Sequence, residues 1–218
     1  MRFHYRTRLL ATAFCLSLGG PVVALAQSQA PSATEVSPAE ARAATLPVRE
    51  FYDSLLYSMK HAKQLGIRGR FAHLEPAVSN AFDFKVMTQF TVGQYWDKMT
   101  PPERVALMDA FRKLTTANYA RSFNGYGGES FTVKPTVEHR DGDDIVSTQM
   151  NLPGKAPIPF IYRMHKTPEG WRIVDIYLNG YISEVATRRA DFASTLQSGG
   201  VAALTTKLDQ MADRTLKE

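Results

Sequence analysis

Apolar positions recur every three or four residues up to about residue 123, every second residue from 130 to 178, and every three or four again beyond Asn179. The first regime predicts helices. From Leu46 onward Phe51, Leu55, Leu56, Met59 and Ala62 make one stripe, and Gly66 offers a stop. A shorter helix over 68–80 is interrupted near Pro76, and a third starts at Asp83, a good cap, and runs through Val86, Met87 and Phe90 to Gly93. The clearest start is Thr100-Pro101-Pro102-Glu103, where threonine and glutamate can satisfy each other's free backbone donors and proline suits a first turn. That helix carries Leu107, Phe111 and Leu114 on one face, with Ala110 and Ala117 beside them.

The second regime predicts four strands, over 130–139, 144–152, 158–165 and 171–178. Asp141-Gly142, Pro153-Gly154 and the run from Lys166 to Gly170 supply tight turns, so successive antiparallel hairpins are expected. Strict alternation puts Trp171, Ile173, Asp175 and Tyr177 on one face and Arg172, Val174, Ile176 and Leu178 on the other. Phe160, Tyr162 and Met164 likewise oppose Ile161, Arg163 and His165, so both faces need cover. The last regime predicts a helix through Ile182, Val185, Arg189, Phe192 and Leu196, a break at Gly199-Gly200, and a helix through Val201, Leu204, Leu208 and Met211. Together these give an α+β domain, a curved four-stranded antiparallel meander wrapped by helices, over residues 46–218. Residues 27–45, rich in Ala, Ser, Pro and Glu, are expected to form a flexible leader.

Residues 1–26 fall outside this domain. Arg2, Arg6 and Arg8 form a basic start, residues 9–18 an apolar run, and Ala24-Leu25-Ala26 a small-x-small cleavage site: a secretory signal peptide. Its removal takes three arginines and no acidic residue, so the formal charge falls from +5 to +2 and the case for nucleic acid goes with it. Cys15 leaves too, which excludes disulfides, thiol nucleophiles and cysteine metal sites. A periplasmic, monomeric protein held together by burial is expected.

Chemistry is sparse. His61, His73, His139 and His165 show no metal-ligand spacing and read as solvated; Asp143-Asp144 reads as turn polarity, and no cofactor or metal motif is present. Gly125-Tyr126-Gly127-Gly128 precedes a strand, which is wrong for a phosphate loop. Asp175 stands out because a covered carboxylate needs partners. Two readings stay open: an ion pair tying the hairpin to Arg188 and Arg189, or a general base at the end of a pocket, as in isomerase or hydrolase cone folds, with Tyr162 or Tyr177 beside it. Bulky apolar side chains dominate instead. Helix stripes and strand alternation put Phe51, Leu55, Phe82, Phe90, Trp96, Leu107, Phe111, Tyr119, Val146, Met150, Tyr162, Met164, Val174 and Ile176 on the lining of an apolar cavity. A pure adaptor with a filled core is the remaining alternative.

Tyr162-Arg163-Met164, the run from Gly170 to Tyr177, Gly180-Tyr181-Ile182-Ser183-Glu184 and Thr187-Arg188-Arg189-Ala190-Asp191-Phe192 resemble the signature region of the MlaC/toluene-tolerance family of periplasmic lipid carriers. Phe51-Tyr52, Phe82-Asp83, Trp96, the stretch from Phe111 to Tyr119 and Tyr126-Gly127-Gly128 extend the likeness. The wording of residues 176–189 is closest to the hopanoid-associated HpnM branch, although Asn179-Gly180-Tyr181 departs from the turn usual in the family. The resemblance implies an MlaC-like fold, related to the NTF2-like cone folds, and a non-catalytic shuttle between membranes. It implies a hopanoid cargo, or a phospholipid as in outer-membrane lipid asymmetry, an inner-membrane transporter of RND or ABC type as partner, and transient membrane contact.

Overall fold

The computed structural model describes residues 34–217. The expected signal peptide lies outside them. The first helix, α1 (Pro38–Lys60), begins well before Leu46. Ser37 and Glu40 form a reciprocal capping box with Pro38 in the first turn, and Ala41, Ala44, Thr45 and Val48 are buried along the helix's inner stripe. The leader expectation for 27–45 is therefore corrected for residues 38–45: small side chains here mark close packing. Helix α2 (Ala62–Ala81) bends at Gly66, whose φ of +60° only glycine adopts without strain. The buried Arg70 guanidinium donates to the carbonyls of Ala62 and Ala120 and pins α2 to the end of a later helix.

Helix α3 (Phe84–Val92) is capped by Asp83, which accepts from the Val86 N–H at 2.9 Å. A 3-10 turn (Gly93–Lys98) leads to α4 (Pro101–Ser122), which starts on the Thr100–Glu103 capping box. Such a cap is worth about 1 kcal/mol. The five residues Leu107, Ala110, Phe111, Leu114 and Ala117 are all buried, as their spacing requires.

The sheet runs in simple meander order through β1 (Thr34–Glu35), β2 (Ser130–Arg140), β3 (Asp143–Asn151), β4 (Ile158–Thr167), β5 (Gly170–Leu178) and β6 (Ile182–Ser183), every pair antiparallel. The four long strands are joined by a two-residue strand at each edge, so the count of four is corrected to six. Helix α5 (Glu184–Thr215) closes the chain and breaks at Gly200, φ +68°.

One irregularity changes which side chains face inward. Arg163 pairs with Asp175 but Met164 pairs with Ile173, so β5 bulges at Val174. A bulge inserts one residue and flips the alternation beyond it. Trp171 and Ile173 consequently share the inner face with Ile176 and Leu178, while Asp175 points outward, which corrects the strict alternation expected for this strand. The inner face meets α1, α2 and α4 in one continuous core, and Phe82 bridges directly to Ile173. On the outer face Ile145, Ser147, Ile161, Arg163 and Tyr177 line a shallow groove of about 450 Å3.

Candidate functional site

At the end of the sheet where β2 and β4 begin and β3 and β5 finish, helices and sheet do not close completely. A cavity of about 180 Å3 remains, lined by Tyr52, Leu55, Tyr119, Phe123, Phe131, Phe160, Tyr162, Ile176, Leu178 and Glu184. Each wall follows from local structure. Tyr52 and Leu55 lie three residues apart on the inner stripe of α1, Tyr119 and Phe123 four apart at the end of α4. Phe160 pairs with Leu178 and Tyr162 with Ile176, so these four project from one face of the sheet. Behind the cavity Phe51 packs edge-on against Tyr119 and Phe82, at centroid distances of 4.9 and 5.3 Å.

The polar atoms in this lining are hydroxyls and one carboxylate. Thr148 donates to the Phe160 carbonyl at 3.3 Å, which leaves its oxygen to accept from the Tyr52 hydroxyl at 2.6 Å. Tyr52 also stacks on Phe131 with centroids 4.1 Å apart. Glu184 is held by Arg188 at 3.4 Å.

Burial pushes the Tyr52 hydroxyl up to about 12, and burial raises Tyr119 and Tyr162 as well. Their neutral forms are stable in this dry setting. The sign follows from proton counting. Above pH 10 the unfolded chain loses tyrosine protons that the folded chain keeps, so their contribution to stability is intact below 10 and lost as pH climbs toward 12. The unfolding free energy from denaturant titrations should fall between pH 10 and pH 12, by up to roughly 1.4 kcal/mol per pH unit for each group. The fall should be shallower in Tyr52→Phe; an identical fall would assign it to other groups.

The residues expected to line a cavity separate into three sets. Leu55, Tyr119, Tyr162 and Ile176 line this one. Phe51, Phe82, Leu107, Phe111, Val146 and Met164 are buried in the core and outside its wall, and half-buried Met150 stands beside Phe131 in the ladder. Phe90, Trp96 and Val174 stand elsewhere, around a groove of about 580 Å3 with Asp141, Asp143, Arg163 and His165. That groove is larger, but it is open and edged with charge, whereas an apolar guest needs a dry wall. Six lining residues were not anticipated: Tyr52, Phe123, Phe131, Phe160, Leu178 and Glu184. Phe160 and Leu178 carried a usable signal, since they alternate in step with Tyr162 and Ile176.

Asp175 is settled differently from either reading. Its carboxylate accepts from the N–H of Ile176 at 2.8 Å, the N–H of Val185 at 3.1 Å and the hydroxyl of Ser183 at 2.6 Å. It thus fastens β5 to the first turn of α5. Arg188 pairs instead with Glu184 and Asp191, and Arg189 is exposed with its guanidinium against Gly93, so the expected ion pair is corrected. At 6% exposure and outside the cavity lining, Asp175 is not poised as a base. Asp143 and Asp144 are also buried, contrary to their reading as turn polarity: Arg163 and His165 hold the first, His139 the second.

A family model described as MlaC protein matches residues 49–210. The fold is similar to a solved phospholipid-binding protein from Ralstonia solanacearum in complex with a phospholipid, with 26% identity and a TM-score of 0.69 over 80% of this chain and 99% of that one. The solved likeness is thus to a protein described as binding a phospholipid. Among the described residues no helix is long and apolar enough to cross a membrane.

Proposed function

The chain belongs to the MlaC family, and from that premise we propose that it is a periplasmic lipid carrier that shelters the apolar part of its cargo between α1, α4 and the inner face of the sheet. One observation carries this reading: the cavity wall is built from aromatic and aliphatic side chains, with its single carboxylate already paired. Exposing a methylene to water costs about 0.8 kcal/mol, so an acyl chain or a fused-ring triterpenoid meets a barrier on the order of 10 kcal/mol between membranes. A wall of this kind lowers that barrier and makes few directional bonds, so release stays possible.

The cavity is smaller than the roughly 300–1,000 Å3 usual for ligand pockets. Loading therefore widens it. The contacts across it are inexpensive to part: the Tyr52–Thr148 hydrogen bond and the Tyr52–Phe131 stack each contribute about 1 kcal/mol. For the cargo itself, the wording of residues 176–189 favours a hopanoid, and the phospholipid bound by the Ralstonia protein favours a phospholipid. Delivery to or from an inner-membrane transporter of RND or ABC type completes the reading.

Protein purified from its own host should yield lipid on organic-solvent extraction, and native mass spectrometry should distinguish a triterpenoid from a glycerophospholipid by mass. Phe160→Asp, at the half-buried rim, should keep its circular dichroism and lose that lipid. Wild-type protein that returns none would overturn the proposal.

A further inference from the structure

The two ends of the sheet differ in kind. At the end away from the cavity, the β2–β3 and β4–β5 turns present Asp141, Gly142, Pro168 and Glu169. At the cavity end lie the connections α4–β2 and β3–β4 and the β5–β6 hairpin, which carry Tyr126, 47% exposed, Tyr181, 75% exposed, and, at the start of β6, Ile182, 41% exposed. These are three of the seven large apolar side chains that stand exposed among the described residues; of the other four, Phe90 stands in the groove beside Asp141 and Gly142 at the opposite end, and none is on the opposite turns themselves.

The β5–β6 turn is built to hold its tip outward. Asn179 and Gly180 both adopt left-handed backbone, φ +53° and +82°, and the Tyr181 N–H closes the turn on the Leu178 carbonyl at 3.2 Å. The residues flanking this tip, Leu178 and Glu184, line the cavity. The other two connections lie against each other, since a Cβ on Gly128 would meet Pro153 at 3.0 Å. Positive charge marks the same end: Lys60 lies over the Tyr126 ring, and Lys155 sits on the β3–β4 turn. Glu129, the acidic residue in these connections, keeps its negative charge and turns it onto the Gly127 N–H, so the two lysines outnumber it.

We infer that this end is the surface with which the protein seats on an anionic phospholipid bilayer, with Tyr181 and Ile182 entering the boundary between headgroups and acyl chains. The inference rests on the lipid-carrier reading and adds where the exchange takes place. Tyrosine suits that boundary because its ring is apolar and its hydroxyl wet. Lysines at the same end of the sheet complement anionic headgroups. The placement has a direct use: a lipid leaving past Phe160 and Leu178 would pass into the leaflet without crossing bulk water.

The test uses the protein with vesicles of phosphatidylcholine and phosphatidylglycerol, three to one, at low salt. Co-sedimentation measures association, and transfer of a fluorescent phospholipid between two vesicle populations measures exchange. The double substitution Tyr181→Ser with Ile182→Ser should weaken association by about tenfold or more and slow transfer in step. Its circular dichroism and the lipid extracted with it should match the wild type, which separates this surface from the cavity. Equal association of variant and wild type overturns the inference. So does a wild type that ignores protein-free vesicles, an outcome that would assign docking to a protein receptor. Absence of extracted lipid from both proteins counts against the carrier reading itself, while the association measurement still decides whether the surface seats on membranes.

Discussion

Met164→Asp is expected to unfold the protein. Met164 is 0% exposed on the inner face of β4, between Asp144 of β3 and Ile173 of β5 in the ladder. An aspartate there would be buried without a partner and beside a carboxylate that is itself buried. The penalty is several kcal/mol, comparable with the 5–15 kcal/mol that holds most domains together. Loss of the circular dichroism signal and of soluble expression would be the readout. A folded variant that had merely lost its lipid would move Met164 from the core to the cavity wall. The contrast with Phe160→Asp is informative because the two positions share a face only four residues apart, about 13 Å along the strand. One end of that face is sealed, and the other is not.

Asp175→Ala should be the next most damaging change that leaves the inner core untouched. It strips an acceptor from two backbone N–H groups and the Ser183 hydroxyl, all at the joint between β5 and α5. Hydrogen bonds to a charged group are worth about 1.5–3 kcal/mol each and do not simply add, so a loss of about 3–5 kcal/mol is expected. For a domain of this size, that lowers the melting temperature by roughly 6–20 °C. Asp175→Asn, which retains one acceptor oxygen, should lose less. A change below about 1 kcal/mol in the alanine variant would remove Asp175 from its fastening role.

Helix stripes and turn residues made most elements readable. Thr100-Pro101-Pro102-Glu103 announced α4 through donors and acceptors only three residues apart. Ser37-Pro38-Ala39-Glu40 is the same device, yet its low apolar content disguised it, because alanines that pack closely look in sequence like a polar leader. The β5 face was misread for another reason. Alternation is a local rule, and the bulge at Val174 is set by pairing with β4, a partner that the strand's own residues do not reveal. Asp175 was therefore assigned to the wrong side, and its partners proved to be backbone groups, which leave no mark in sequence.

The cavity was harder still. Which large apolar side chains face space and which fill it depends on how far α1 and α4 diverge from the sheet at one end. Leu55 occupies the same α1 stripe as Phe51, and only the divergence separates wall from filling. Phe131 precedes a register shift between Val133 and Val137, so its orientation could not be extrapolated from the rest of β2.

The margins of the meander also bear on how copies of the protein meet one another. Strands with unpaired rims invite neighbouring molecules to add on and polymerise. Here each outermost strand is two residues long, and β2, which β1 covers only at Glu138 and His139, carries Lys134, Pro135 and the register shift along its remaining length. Proline offers no hydrogen to a newcomer and an irregular backbone offers no template. The sheet can thus stay loosely capped at its sides without seeding aggregates.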